Sequence, residues 1–228
     1  MTSEVAVLSG GAMRRFLLEA VPLFEAASGI KIALRFAQTR VAMKEIEEGS
    51  AFDVALLPRW AIDQLTARGK IAPGTVVDAV RSIVGLMVRQ GAPAPDISTV
   101  DALKAALRRA KSISYSKGPS GEYVADLLQR LGLAGEMRDK TVFAVGRFVG
   151  EVVANGEAEV GMQQIIESAP VAGAHLVGPL PAELTNYVLY SAGFAVGAAH
   201  GAAADKFVAF LASPEAVGII RAKGMEPG

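Results

Sequence analysis

The chain contains no cysteine, which excludes disulfides, thiolate metal ligands and a cysteine nucleophile. Histidine is nearly as scarce. Only His175 and His200 occur in 228 residues, too few for a histidine-rich metal centre and a poor basis for a histidine-dependent triad. An excess of one charge is missing too: Lys plus Arg and Asp plus Glu each number 23, so the net charge is zero. No broad basic face is therefore available for nucleic acid. No apolar run is long enough to span a membrane without interruption by charge or glycine, so membrane insertion is not expected. A Gly-x-Ser-x-Gly elbow, a Walker loop and a dinucleotide fingerprint are all absent. Neither a metal nor a cofactor is expected. Met1-Thr2-Ser3-Glu4 runs directly into Val5, without the basic, apolar and cleavage segments of a signal peptide. The expected location is the cytoplasm for the sequence as it stands, or the periplasm if a leader has been removed.

What is present is an Ala-, Val- and Gly-rich chain, 51% hydrophobic and only 6% aromatic. That composition suits a well-packed α/β protein with no disorder signature. Strand and helix signals alternate. Val5–Leu8, Ile30–Phe36, Asp53–Leu57, Ser82–Arg89, Ser112–Tyr115, Thr141–Val145, Val160–Met162, His175–Val177 and Tyr187–Val196 read as strands. Arg14–Ser28, Val41–Glu48, Trp60–Arg68, Val100–Lys111, Tyr123–Leu131, Gly150–Gly156, Ala202–Leu211 and Pro214–Lys223 read as helices. Strands joined by helices argue for parallel sheets covered on both faces. In such sheets ligands lie beyond the carboxyl ends of the strands.

Two segments have the local design of an anion site. Tyr115-Ser116-Lys117-Gly118-Pro119-Ser120-Gly121-Glu122-Tyr123 runs from a strand through a small-residue turn into a helix, as does Val5–Leu8 followed by Ser9-Gly10-Gly11. Free backbone N–H groups and the positive end of a helix dipole point at whatever rests on such a turn. Either turn alone is equally an ordinary helix cap. The pair suggests one ligand held between two lobes.

Several segments in order carry a resemblance across essentially the whole chain: Val7–Met13; Gly49-Ser50-Ala51-Phe52-Asp53-Val54; Gly118–Tyr123 with Leu131-Gly132-Leu133; Val152–Gly161; and the tail Ser213-Pro214-Glu215-Ala216 with Gly224–Pro227. The chain resembles the solute-binding proteins of the type II periplasmic fold, specifically the molybdate-binding family of ABC transporters. Within it, Gly178–Leu184 looks like a divergent subgroup similar to aconitate isomerase. The resemblance implies two α/β lobes, each a mostly parallel sheet flanked by helices, joined by two crossover strands. Lobe I would comprise residues 1–80 and 190–228, and lobe II residues 81–189. Ser82–Arg89 and Tyr187–Val196 would serve as hinges for closure over a ligand in the cleft.

Departures from the family pattern shape the ligand expectation. The molybdate family places a serine where this chain has Ala12, and serines where it has Gln38, Thr39 and Arg40. Arg14 and Arg40 stand near the expected ligand positions, and arginine suits a carboxylate; solvent is the alternative destination for both. The expected ligand-binding set is Ser9, Gly10, Gly11, Arg14, Thr39, Arg40, Gly118, Ser120, Gly121 and Gln163. For Gln163 and its neighbour Gln164, a helix cap or surface turn reads equally well. The expected function is capture of a small anionic solute, a carboxylate or oxyanion, by a monomer, with an ABC permease as partner if the protein is exported. The alternative is a cytoplasmic isomerase of an unsaturated di- or tricarboxylic acid, with Glu122, Tyr115 and Lys117 as candidate catalytic groups and Glu167 as a further titrating group. A regulator's ligand-sensing domain is a weaker third possibility, since no DNA-binding helix-turn-helix precedes the first strand.

Overall fold

The computed structural model describes residues 4–117, 119–168, 171–198 and 201–228, with backbone alone at Pro119 and Ser168. In chain order the elements are β1 (Glu4–Gly10), a 3₁₀ turn (Gly11–Met13), α1 (Arg14–Ser28), β2 (Lys31–Ala37), α2 (Thr39–Glu47), β3 (Val54–Pro58), α3 (Arg59–Ala67) and β4 (Val77–Arg89). There follow α4 (Val100–Arg109), β5 (Ile113–Ser116), α5 (Pro119–Arg130), α6 (Ala134–Arg138), β6 (Thr141–Ala144), α7 (Val149–Ala154), β7 (Val160–Gln164), α8 (Ile165–Ser168) and β8 (Ala174–Pro179). The chain closes with a 3₁₀ turn (Ala182–Leu184), β9 (Tyr187–Phe194), α9 (Gly201–Phe210), α10 (Pro214–Ala222) and β10 (Glu226–Pro227). The result is the expected α/β architecture of mixed sheets flanked by helices. It divides into two compact units, one of Met1–Arg81 with Val188–Gly228, the other of Ser82–Tyr187.

In the first unit β1 lies between β2 and β3, parallel to both, and β9 runs antiparallel along β3. All five residues of β3 are buried, as expected of a strand covered on both faces. One cover is α2 and α3, which pack Met43, Ile46, Ile62 and Leu65 against Leu8 and Leu57. Elsewhere in the unit α1 buries Phe16, Leu17, Ala20, Val21 and Phe24, a helical stripe of apolar residues. Phe24 meets Phe207 of α9 edge-on at 5.3 Å. Phe16 and Phe207 are fully buried, each worth roughly 2–3 kcal/mol of apolar transfer.

In the second unit β5 lies between β6 and β7, parallel to both, while β4 pairs antiparallel with β7 and with β8. Leu103, Leu107, Leu127, Leu128 and Met137, from α4, α5 and α6, pack on Ile113, Tyr115, Val160 and Met162. A smaller cluster lies around α7, where Val149, Val152 and Val153 meet Met87 and Ala144.

Some boundaries differ from the sequence expectation, always for a visible reason. Ser9 and Gly10 belong to β1 rather than to the turn, because both pair with β2, opposite Phe36 and Ala37. Thr39 and Arg40 open α2 instead of preceding it. Helix α5 starts at Pro119, so Ser120, Gly121 and Glu122 form its first turn; proline favours that first helical position. Strand β7 continues through Gln163 and Gln164, paired with Gly85 and Val84. The short helices α6 and α8 gave too little periodicity to be expected.

Candidate anion-binding site

In the first unit three helix starts follow the carboxyl ends of β1, β2 and β3. The residues just before them are Gly10, Gln38 and Pro58, and none supplies a capping side chain. None of these helices carries an acidic residue in its first turn. Helices α4 and α10 are treated differently. Thr99 and Ser213 cap α4 and α10 with their hydroxyls, and Asp101 and Glu215 sit in those first turns. The first N–H groups of a helix have no intrahelical partner. The helix starts after β1, β2 and β3 therefore present uncapped donors, and no acid in their first turns opposes the positive dipole end.

The side chains around these starts converge. A β-carbon at Gly10 would lie 3.8 Å from Thr39 Oγ1, so the strand end and the start of α2 are neighbours. Arg14 reaches from α1 to the end of β2, with its guanidinium 5.0 Å from the Phe36 ring centroid. Such stacking holds the planar group in place without neutralising it. Arg14 and Arg40 are exposed, and among the described residues neither has a carboxylate within ion-pair distance. Arg35, Arg59 and Arg68 of the same unit are paired with Glu45, Asp63 and Asp78, and Glu47. Ser9 is fully buried, and its hydroxyl lies 3.2 Å from the Leu56 and Gly10 carbonyl oxygens. Its proton is thus committed to the backbone, leaving the hydroxyl as a structural clamp between β1 and β3.

In the second unit the start of α5 packs hard onto β5. A β-carbon at Gly121 would fall 1.7 Å from the Ser116 carbonyl oxygen, so only glycine fits. Ser120 is buried, with its hydroxyl 3.4 Å from that of Ser116. Gly118 lies outside the described residues. Tyr115 is buried edge-on against Phe143 at 5.2 Å, and Lys117 Nζ stands 4.9 Å from the same ring. Glu122 is exposed in the first turn of α5. These groups stand at one strand end, and no contact among the three candidate catalytic residues joins them into an acid–base pair.

Gln163 departs most from the expectation that it binds ligand. Its Oε1 accepts the Val149 N–H at 2.9 Å, and its Nε2 donates to Glu167 Oε2 at 2.9 Å. It acts as a cap for α7, assisted by Glu151, which accepts the Phe148 N–H. The start of α7 is thereby closed by the protein's own side chains. The Glu167 carboxyl sits deep among protein atoms although the residue keeps some surface; burial pushes its pKa up, and the Gln163 bond only partly opposes this. The Gln163–Glu167 link spans a strand end and a four-residue helix, so spacing gave no sign of it. The acid-free helix starts, in contrast, are legible: no Asp or Glu occurs in 10–15, 38–42 or 58–62.

Other features are less suited to an anion. An open groove of ≈ 730 Å³ lies at the amino end of β1 and β3, lined by Glu4, Asp53 and Lys70 among others. Its two carboxylates and its distance from the helix starts set it apart from the site. His175 lies in β8, opposite Val88, and Trp60 is partly exposed in the first turn of α3. Among the described residues no group of three His, Asp or Glu could hold a metal ion, and no helix is long and apolar enough to cross a membrane.

This fold is shared with binding proteins of known structure. The chain matches the family of bacterial extracellular solute-binding proteins over residues 5–226, and it belongs to that family. Aconitate isomerase from Pseudomonas sp is 34% identical over 231 residues, covering 99% of this chain and 88% of that protein. The substrate-binding domain of a putative molybdenum ABC transporter from Clostridium difficile superposes with a TM-score of 0.85 at 18% identity, covering 99% of each chain. The periplasmic molybdate-binding protein of Azotobacter vinelandii gives 0.75 at 19% identity, with 97% and 98% covered. The family resemblance carried by the sequence motifs thus holds.

Proposed function

We propose that this protein binds a small carboxylate anion, held by the helix starts after β1 and β2 together with Arg14 and Arg40. The observation that carries the reading is the contrast between helix ends: those at the ligand end of the first unit lack caps and acids, while α4 and α10 have both. Uncapped N–H groups suit any anion. Two arginines without carboxylate partners among the described residues favour a planar carboxylate, which a guanidinium grips with two parallel hydrogen bonds. In this reading the protein works as a monomer outside the cytoplasmic membrane and passes its ligand to a membrane permease.

A second reading is an isomerase of an unsaturated tricarboxylic acid, favoured by the aconitate isomerase relative that matches 99% of the chain. It uses the same anion site and needs no permease. A thermal-shift panel of molybdate, tungstate, sulfate, phosphate and di- and tricarboxylates tests the common core, because a ligand that binds only the native state raises the melting temperature. The expected result is a shift with tricarboxylates such as aconitate and little or none with molybdate. A shift confined to molybdate and tungstate would overturn the carboxylate assignment. Proton NMR of the same sample with cis- and trans-aconitate then separates the readings, since only an isomerase interconverts them.

A further inference from the structure

We propose that Phe36 is a positioning residue of the anion site: its ring fixes the Arg14 guanidinium as a fork that a ligand carboxylate enters edge-on. The inference rests on the carboxylate reading above and adds a residue that acts through the arginine. Every group it uses lies in the first unit.

Strand alternation sets the direction of the ring. Successive side chains of a strand point to opposite faces. Arg35 reaches α2, where it pairs with Glu45 at 3.2 Å. Phe36 therefore lies on the other face of β2, from which Arg14 of α1 meets it. The ring stands on a firm base. Phe36 pairs in register with Ser9, and the Ser9 hydroxyl ties β1 to β3 through the Leu56 carbonyl oxygen at 3.2 Å. The half-buried ring thus sits at the carboxyl end of β2, just before the start of α2.

The Arg14 guanidinium carbon lies over this ring, 5.0 Å from its centroid, and among the described residues no carboxylate pairs with it. Arg130 of the second unit shows the contrast. It lies 5.8 Å from the Tyr123 ring centroid, but its Nε also donates to Asp126 at 2.8 Å. A guanidinium donates its hydrogen bonds in its own plane, and an aromatic ring covers one face of that plane. What remains is approach along the edge, which suits the two oxygens of a carboxylate. A flexible arginine gives up rotamer freedom when it grips a ligand; one already stacked gives up less. Phe36 therefore contributes to affinity without a charge or a hydrogen bond of its own, and its effect passes through Arg14.

The test is calorimetric titration of aconitate into variants of the full chain. Phe36→Leu and Phe36→Met, which keep apolar bulk without the aromatic face, should each weaken binding about 3–30-fold. Phe36→Tyr restores the face and should recover most of that loss. In an Arg14→Gln background, Phe36→Leu should change affinity by less than about twofold, because the arginine it positions is gone. A general disturbance of the strand end would instead weaken binding equally in both backgrounds, and that result would overturn the proposal. So would wild-type affinity in both Phe36→Leu and Phe36→Met, or a loss in Phe36→Tyr as large as in Phe36→Leu. Each of these outcomes leaves the carboxylate reading intact when Arg14→Gln alone weakens binding. Undiminished binding by Arg14→Gln, or no aconitate binding by wild type, would overturn both.

Discussion

Replacing Gln163 with leucine removes two hydrogen bonds at once, both at 2.9 Å: a buried one from the Val149 N–H and a partly buried one to the Glu167 carboxylate. Leucine fills a similar volume but can neither accept nor donate. Each orphaned group costs about 1–3 kcal/mol, and the added apolar burial returns roughly 1 kcal/mol. The expected net loss is about 1–5 kcal/mol, a fall in melting temperature of roughly 2–20 °C for a chain of this size. Glu167 adds a pH signature. Its folded-state pKa is already raised by burial, and Gln163→Leu removes the bond that opposes the rise. Such a group favours the fold below its unfolded-state pKa, and that contribution is lost as pH rises through the folded-state pKa. The variant's deficit should therefore widen with increasing pH. Gln163→Glu is the sharper control: it can still accept the Val149 N–H, but it sets a second carboxyl against Glu167. The pair is tolerated when acid leaves a proton to share and repels as pH rises. Calorimetric melts of the three proteins across pH measure this. A pH-independent loss below about 1 kcal/mol in Gln163→Leu would refute the assignment of Gln163 as the α7 cap.

Further variants probe the second unit. Ser114 is fully buried in β5, and its hydroxyl has no partner among the described residues; Ser114→Ala should stabilise the protein by about 1 kcal/mol in denaturant titrations, since an unmet polar group is removed. Gly121→Ala would place a carbon 1.7 Å from the Ser116 carbonyl oxygen. It should cost at least about 3 kcal/mol and lower the melting temperature accordingly, because β5 and α5 must separate.

The architecture was largely legible because its signals are strong and local. Apolar runs such as Val54–Leu57 are buried on both faces, and the α1 stripe from Phe16 to Phe24 has helical spacing. Boundaries slipped where pairing overrode composition. Ser9 and Gly10 look like turn residues, but the register with Phe36 and Ala37 draws them into β1. The site was legible in part. Gly10, Thr39 and Arg14 do gather at strand ends. Sequence position makes Ser9 and Gln163 candidate ligand donors, yet both spend their side-chain polar atoms inside the protein. No spacing rule links a strand residue to a helix N–H fourteen positions earlier, so the role of Gln163 required the fold.

The most direct test of the carboxylate site is calorimetric titration of aconitate into wild type and into the Arg14→Gln/Arg40→Gln double variant. Each charged hydrogen-bonding arginine is worth about 1.5–3 kcal/mol, so their joint loss should weaken binding roughly 10²–10⁴-fold. Without ligand the variant should melt within about 4 °C of wild type, since neither arginine pairs with a described carboxylate and only the exposed Arg14–Phe36 stacking is lost. Equal affinity in the two proteins would contradict the placement of the anion at these helix starts.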